Sequence, residues 1–309
     1  MVKHYTNFNI KKLHKGSIIL IGNFDGLHLG HQKLFQLAQS YKKKYNLKIG
    51  VVNFDPMPKM FFNKKLKNFR LSNIDQKIKL LSNLKVDFVI TKKFDKKFSK
   101  TKALNFISQI LNKKLSSKFI FVSNNFRFGN KREGNVNLLK KYELLFNYKV
   151  VKPEPLIKSK KIVSSSLIRN LLEKGLLNKA NNLLKRNWTI QGVVKRGRQV
   201  GKKIGFPTCN IDIGDYVLAK PGVYAVKVLR KKSKKYLKGI ANLGVRPTIN
   251  GKKILLEAHL FGFNQNLYNK EITVEFNYFV RNEKKFKSLV HLKNQIKKDI
   301  IKVKKYVKK

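Results

Sequence analysis

Short apolar runs alternate with stretches of helical spacing through the first half of the chain. Residues 17–24 (SIILIGNF) read as a buried strand ending in a glycine-containing turn. Over 31–45, Leu34, Leu37, Ala38 and Tyr41 fall on one face of a helix. Residues 48–54 read as a second strand, 74–84 as a helix and 86–90 as a third strand. A helix over 103–111 and a fourth strand over 118–123 follow. Then come a helix over 136–146, a short strand over 148–151 and one or two helices within 166–185. This alternation predicts a parallel sheet with helices on both faces.

Near residue 186 the pattern changes. Residues 187–194, 222–229, 236–243, 254–263 and 271–280 read as strands separated by Gly, Pro and Asn turns, and helical spacing returns only over 284–300. An antiparallel β-barrel or sandwich with one terminal helix is expected. At roughly 150 residues per domain, 309 residues agree with two domains, 1–185 and 186–309.

Composition then narrows the function classes. Lys+Arg is 70 and Asp+Glu is 16, a formal charge of +54, while 42% of the chain is apolar. That apolar content excludes a wholly disordered basic tail. The lysines are spread along the chain, in Lys42 to Lys44, Lys64-Lys65, Lys96-Lys97 and Lys297-Lys298. A dispersed pattern fits a solvated surface better than an evolved nucleic-acid face, so no specific nucleic-acid partner is expected. A basic nucleic-acid-binding protein is the rival reading from a different class. The lone Cys209 excludes an internal disulfide framework, makes a thiolate metal site implausible and fits a reducing compartment. No run approaches the ~20 apolar residues of a membrane span, and Ile18 to Ile21 is too short for a signal core. A soluble, cytoplasmic protein without a membrane partner is expected, and the pattern specifies no oligomeric state.

Candidate chemistry concentrates in two places. The string Gly22-Asn23-Phe24-Asp25-Gly26-Leu27-His28-Leu29-Gly30-His31 follows the first strand and opens the first helix. Glycines there let backbone approach phosphate, and the helix N-terminus offers unpaired N–H groups to an anion. His28 and His31, three apart, share one face of the first turn and can donate to phosphate oxygens. A zinc pair is disfavoured because no Cys or further His pattern completes it. In the second half, Thr208 and Asn210 of Pro207-Thr208-Cys209-Asn210 can help hold a hydrated Mg²⁺ on phosphates. The preceding Gly197 to Lys203 stretch has P-loop-like glycines, but its spacing is short by one and no Ser/Thr follows the Lys. Lys97-Phe98-Ser99-Lys100-Thr101 resembles the K-M-S-K-S loop of class I aminoacyl-tRNA synthetases. It precedes the fourth strand, whereas such a loop is expected after the fifth.

The Gly22 to His31 string resembles the nucleotide-binding loop of bacterial bifunctional riboflavin kinase/FAD synthetases, within the nucleotidyltransferase superfamily that carries H-x-G-H. Further stretches match in order. Phe54-Asp55-Pro56-Met57-Pro58 is similar to F-D-P-H-P, with Met57 at the His position. Asn124-Asn125-Phe126-Arg127-Phe128-Gly129 is similar to the flavin- and nucleotide-contacting loop, with Ser123 where Gly is usual. Ser164-Ser165-Ser166-Leu167-Ile168-Arg169 is similar to I-S-S-T-x-I-R, whose Arg holds ATP phosphates. Gly205-Phe206-Pro207-Thr208-Cys209-Asn210 resembles G-x-P-T-A-N, Asn242 to Thr248 resembles N-x-G-x-x-P-T, and Glu257 to Phe261 resembles E-x-H-L-F. Leu267-Tyr268 and Arg281 to Phe286 resemble L-Y-G and R-x-E-x-x-F, with Asn269 in place of Gly; Gly262 stands where Asp is common.

The resemblance implies an α/β plus β fold. A Rossmann-like nucleotidyltransferase domain with a parallel sheet would precede an antiparallel β-barrel with a terminal helix. It implies phosphorylation of riboflavin to FMN, then adenylylation of FMN to FAD, with ATP as co-substrate and Mg²⁺ as cofactor. A transferase of the same superfamily with another substrate is the nearer alternative. Glu257 would be the general base of the kinase step, and His28 and His31 would serve adenylyl transfer. Gly22, Asn23, Phe24, Asp25, Gly26, Gly30, Phe54, Pro56, Pro58, Asn125, Arg127, Ser164, Ser165 and Arg169 would bind nucleotide or flavin in the first domain. Gly197, Gly201, Lys202, Gly205, Pro207 and Arg281 would do so in the second, with Thr208 and Asn210 on the metal.

Overall fold

A computed structural model describes residues 2–307 apart from Arg198, Lys232, Ile249 and Asn250. The chain divides into two compact units, Met1–Lys67 with Ile74–Ser164, and Asn68–Asn73 with Ser165–Lys309.

In the first unit the order is β1 (Lys3–Tyr5), β2 (Ile18–Ile21), α1 (Leu29–Tyr45), β3 (Ile49–Asp55), α2 (Pro58–Phe62), α3 (Ile74–Asn83), β4 (Phe88–Lys93), α4 (Lys96–Ser99) and α5 (Ala103–Asn105). α5 runs on into a π-helical stretch, Phe106–Lys114. Then come β5 (Phe119–Phe121), β6 (Arg127–Phe128), β7 (Gly134–Asn135), α6 (Val136–Lys141), β8 (Lys149–Val151) and the hairpin β9 (Ile157–Lys158) and β10 (Lys161–Ile162). Six strands pair in the order β1-β4-β3-β2-β5-β8, every pair parallel. Central strands of such a sheet are covered on both faces and therefore read as unbroken apolar runs, as β2 (IILI) does. Ile18, Leu20 and Val51 face a core with Phe35 of α1 and Leu81 of α3. Ile19, Ile21 and Val52 face another with Phe106, Ile107 and Leu111. The chain leaves β2 for β3 on one side and later returns to β5 on the other. The carboxyl end of β2 is therefore a topological switch point, where open α/β sheets bind ligands.

The second unit opens with α7 (Ser165–Glu173) and α8 (Leu177–Leu184), followed by β11 (Thr189–Lys195), α9 (Val200–Lys203) and β12 (Cys209–Asp212). β13 (Gly222–Arg230), β14 (Tyr236–Thr248), β15 (Gly251–Leu260), β16 (Glu271–Asn282) and α10 (Leu289–Val307) complete it. The strands close an antiparallel barrel in the order β11-β12-β15-β14-β13-β16. Its core joins Ile190, Ile211, Val226 and Leu256 to Ile168, Leu172 and Leu184 of α7 and α8. Trp188, 1% exposed, donates its indole N–H to Leu71 O at 3.0 Å. Val303 and Ile300 of α10 pack on Val223, Ala225 and Ile240, the opposite side of the barrel wall from the main core.

By contacts, residues 165–185 and Asn68–Asn73 group with the barrel, whereas the sequence pattern changes near 186; the other differences from the sequence expectation are local. The 136–146 helix stops at Lys141, and Leu144 and Leu145 that extended the pattern are exposed. The terminal helix begins at Leu289, where Ser288 Oγ accepts from His291 N at 3.3 Å and caps it. β1 and β12 carry no run long enough to signal a strand.

Candidate active sites

The first site is built on the turn after β2. Gly22 N donates to Val52 O at 3.1 Å, which holds the end of β2 against β3. The chain then passes through left-handed backbone at Phe24 (φ 46°), Gly26 (φ 79°) and Leu27 (φ 42°). Two of these are not glycine, a local cost of order 1 kcal/mol each that the buried Phe24 and Leu27 side chains offset. The turn delivers His28 to the N-cap of α1, where its Nδ1 accepts from His31 N at 3.4 Å. With Nδ1 accepting, a neutral His28 carries its proton on Nε2. The two imidazoles stack with centroids 3.7 Å apart. His31 Nδ1 is sealed from solvent and has no hydrogen-bond partner. Burial, then the His28 ring, then Lys77 hold His31 well below the ordinary imidazole pKa. A Cβ at Gly30 would meet Val163 O at 3.1 Å, so this glycine lets the segment just before Ser164 lie against the first turn of α1. Asp25 is buried and Asn23 half-buried in the same turn.

Beside the switch point lies an aromatic cleft. Phe54, Pro58 and Arg127, all anticipated from sequence, line it. Phe62, Phe94, Phe98, Phe106, Phe126 and Phe128 complete its walls, and Lys131 and Arg132 add basic groups. Phe126 and Phe128 stack at 5.4 Å, and Phe54 and Phe98 lie 5.5 Å apart. Such a slot suits a planar aromatic ring system carrying an anionic group. Phe98, Ser99 and Thr101, from the string that resembles a tRNA-synthetase loop, are part of this wall. Asn125 accepts from Ser123 Oγ at 3.0 Å in the loop after β5. Pro56 joins β3 to α2, and the buried Met57, where the family motif has His, stands at the N-cap position of α2 without a side-chain cap.

Ser164 closes the first unit, whereas Ser165 and Arg169 belong to the second. Arg169 is 8% exposed; its Nε donates to Phe69 O at 2.6 Å, and its guanidinium lies 3.6 Å from the centre of the Phe69 ring.

The second site is a row of polar side chains on the barrel face away from the core. In β15, Leu256, Ala258 and Leu260 point into the core, so Glu257 and His259 point out. Asn210 of β12 and Asn242 of β14 pair with Glu257 from either side. Glu257 Oε1 receives Arg246 Nε at 3.3 Å, and Asn242 Nδ2 donates to Glu283 Oε1 at 3.0 Å. His259 Nδ1 donates to Pro207 O at 2.8 Å, holding the Pro207–Thr208 segment against β15. A Cβ at Gly197 would stand 2.6 Å from Asn210 Nδ2, so any side chain there would displace the Asn210 amide. α9 carries Gly201 and Lys202; Phe206 N closes the turn on Gly201 O at 2.7 Å, and Gly205 adopts φ 89°. Burial pushes the Cys209 thiol up to about 11, which keeps it protonated and unreactive near neutral pH. Arg281 is joined to Asp299 of α10 by Nε at 2.9 Å and Nη2 at 2.8 Å.

Hard, neutral oxygens of Thr208 and Asn210 beside the Glu257 carboxylate, in a cradle that a Cβ at Gly197 would fill, fit a hydrated Mg²⁺ carried on phosphates. Among the described residues no cluster of three His, Cys, Asp or Glu side chains forms a metal cage of its own.

A glycine-bearing strand–turn–helix in one unit and a carboxylate-bearing barrel in the other fit a class of enzyme that moves phosphoryl groups at two separate sites. Comparison with known proteins narrows the class. Residues 10–167 match the FAD synthetase family and residues 184–307 the riboflavin kinase family. The chain is 42% identical to the bifunctional riboflavin kinase/FMN adenylyltransferase of Buchnera aphidicola subsp. Schizaphis graminum, over 96% of both chains. It is 38% identical to the Escherichia coli K12 protein of that name, over 92% of this chain and 91% of the other. A solved structure described as a macrolide-efflux protein from Streptococcus pneumoniae matches with a TM-score of 0.85 at 26% identity, covering 98% of each chain. The chain belongs to the family of bifunctional riboflavin kinase/FMN adenylyltransferases. No helix among the described residues is long and apolar enough to cross a membrane.

Proposed function

We propose that this chain makes FAD from riboflavin in two ATP-dependent steps, one in each unit. In the barrel unit, the ribityl 5′-hydroxyl oxygen forms a bond to the ATP γ-phosphorus. The bond from that phosphorus to the β–γ bridging oxygen breaks, ADP leaves and Glu257 takes the hydroxyl proton. Thr208 and Asn210 hold the Mg²⁺, which when bound neutralises charge on the transferred phosphate. Gly197, Gly201, Lys202, Gly205 and Pro207 form the turn that receives the nucleotide, and Arg281 steadies the adjoining strand end.

In the parallel-sheet unit, an FMN phosphate oxygen attacks the ATP α-phosphorus, and pyrophosphate leaves with the electron pair of the broken P–O bond. No residue need form a covalent bond; positioning and charge stabilisation carry the step. The flavin ring occupies the aromatic cleft, with Arg127 beside its phosphate. Gly22 to Gly26 and Gly30 admit the nucleotide, and His28 and His31 donate to its phosphates. Asn125, Pro56 and Ser164 supply further contacts to the two substrates. A reducing compartment, the cytoplasm, suits a chain whose one thiol is held protonated.

The observation that carries the reading is the pairing of Glu257 with Asn210 and Asn242 in register, in the same chain as the stacked His28 and His31 on the switch-point turn. Product analysis tests it. With riboflavin, ATP and Mg²⁺ the protein should yield FMN, and with FMN and ATP it should yield FAD. No flavin product in either tube from folded protein would defeat the reading.

A further inference from the structure

We infer that Arg246 of β14 is a positioning residue of the barrel site, whose guanidinium aims the Glu257 carboxylate for the proton transfer of the kinase step. The inference rests on the general-base reading of Glu257 given above.

A base on this face has little to hold it. Glu257 points away from the barrel core, with 27% of its side chain exposed. A glutamate left to itself there samples several rotamers. Proton abstraction needs one oxygen within about 3 Å of the hydroxyl, and a misplacement of about 1 Å can cost about 10² in rate. The two residues beside Glu257 in register do not fix it. Asn210 gives Nδ2 to Thr208 O at 3.4 Å, and Asn242 gives Nδ2 to Glu283 Oε1 at 3.0 Å. Among the described residues, the Glu257 carboxylate has one polar partner, Arg246 Nε, which donates to Oε1 at 3.3 Å. That contact takes one oxygen and leaves Oε2 for a substrate hydroxyl.

The contact is prepared by the order of residues along β14. Ala241 and Leu243 face the core, so Asn242, Gly244 and Arg246 share the outer face. Asn242 is the register partner of Glu257, and Gly244 lies between Asn242 and Arg246. Gly244 has no side chain to stand between guanidinium and carboxylate. A Cβ there would also run into Glu283 Oε1, the oxygen that holds Asn242. Residue choice points the same way. Of the 70 basic residues, 60 are Lys and 10 are Arg. A cation wanted only for its charge on an exposed strand face would be Lys at most positions of this chain. Its arginines make defined contacts instead, Arg281 on the Asp299 carboxylate and Arg169 on Phe69 O. A guanidinium is planar with donors in a fixed fork, whereas an ammonium is a point charge on a flexible stem. An ion pair this exposed adds little to stability, so folding gives no reason to keep it.

A double-mutant cycle on the full-length protein tests the link, with FMN formation from riboflavin as the readout. Arg246→Gln should lower kcat about tenfold and leave KM for riboflavin and for ATP within about twofold. Its thermal midpoint and its conversion of FMN to FAD should match the wild type. In the Glu257→Gln background, Arg246→Gln should change the residual rate by less than about twofold, because no base remains to be aimed. Arg246→Lys keeps the charge without the fork and should stay at least about threefold below wild type. Wild-type FMN formation by Arg246→Gln or by Arg246→Lys overturns the inference. So does an equal loss in both backgrounds, or a raised KM for ATP at unchanged kcat, since either would put Arg246 on the nucleotide instead of the base. If Glu257→Gln itself keeps wild-type FMN formation, the base reading fails and the positioning role falls with it. If Glu257→Gln is inactive while Arg246→Gln is not, the base reading stands and this inference alone is lost.

Discussion

Glu257 and His28 are the residues on which the two chemistries separate most cleanly. Glu257 lies in register with Asn210 and Asn242 on the barrel, and His28 caps α1 in the other unit. Glu257→Gln keeps the shape and removes the proton acceptor. It should lower FMN formation by about 10² or more and leave conversion of FMN to FAD within about twofold. His28→Ala removes a donor and the N-cap acceptor together, and should do the reverse. Equal loss of both activities in each folded variant, measured by flavin chromatography, would contradict two separate sites. Phe62 offers a different kind of test. It lines the aromatic cleft yet is 68% exposed, so its removal costs little stability. Phe62→Ala should raise KM for FMN about fivefold, the equivalent of ~1 kcal/mol of lost ring contact, with riboflavin phosphorylation unaffected. An unchanged KM for FMN would place the flavin elsewhere.

At the scale of elements, α10 is fastened to the barrel by one buried ion pair as well as by Ile300 and Val303. Asp299 has 5% of its side chain exposed and Arg281 17%, and Gln295 donates to the same carboxylate at 2.9 Å. Asp299→Ala leaves a buried guanidinium without its counter-charge and should cost about 3 kcal/mol, read as an earlier urea transition of the full chain. A shift under about 0.5 kcal/mol would show that the helix is held by its apolar face alone. The same element marks how far the sequence could be read. Helical spacing announced α10, but not that Arg281, matched to a family motif, is joined to Asp299 eighteen positions on. Gly22 to His31 was readable because strand, turn and cap are contiguous and their residue types are demanded locally. β12 was not, because Cys209–Asp212 is short and its pairing with β11 and β15 is non-local. The walls of the cleft were not, because Phe62, Phe94, Phe98 and Phe106 are scattered along the chain like ordinary core phenylalanines. Only the folding of α2, α4 and the π-helical stretch brings them to one slot.

For the whole molecule the dominant physical fact is a charge of +54. The described surface carries its lysines in exposed positions throughout both units, and few of them find a carboxylate. A field of this sign concentrates anions, and the two reactions differ in how much they should feel it. Riboflavin is neutral, whereas FMN brings a phosphate dianion; ATP is common to both. Raising salt from about 0.01 to about 0.15 M shortens the Debye length from ~30 to ~8 Å. At saturating ATP, kcat/KM for FMN should therefore fall several-fold over that range, while kcat/KM for riboflavin stays within about twofold. Parallel losses for both flavins would mean that salt acts on the ATP sites or on folding, and that the charge does not steer the flavin. A salt-insensitive FMN reaction would mean that the lysines are a solvated coat with no part in substrate capture, the role their even spread along the chain suggests when composition is read alone.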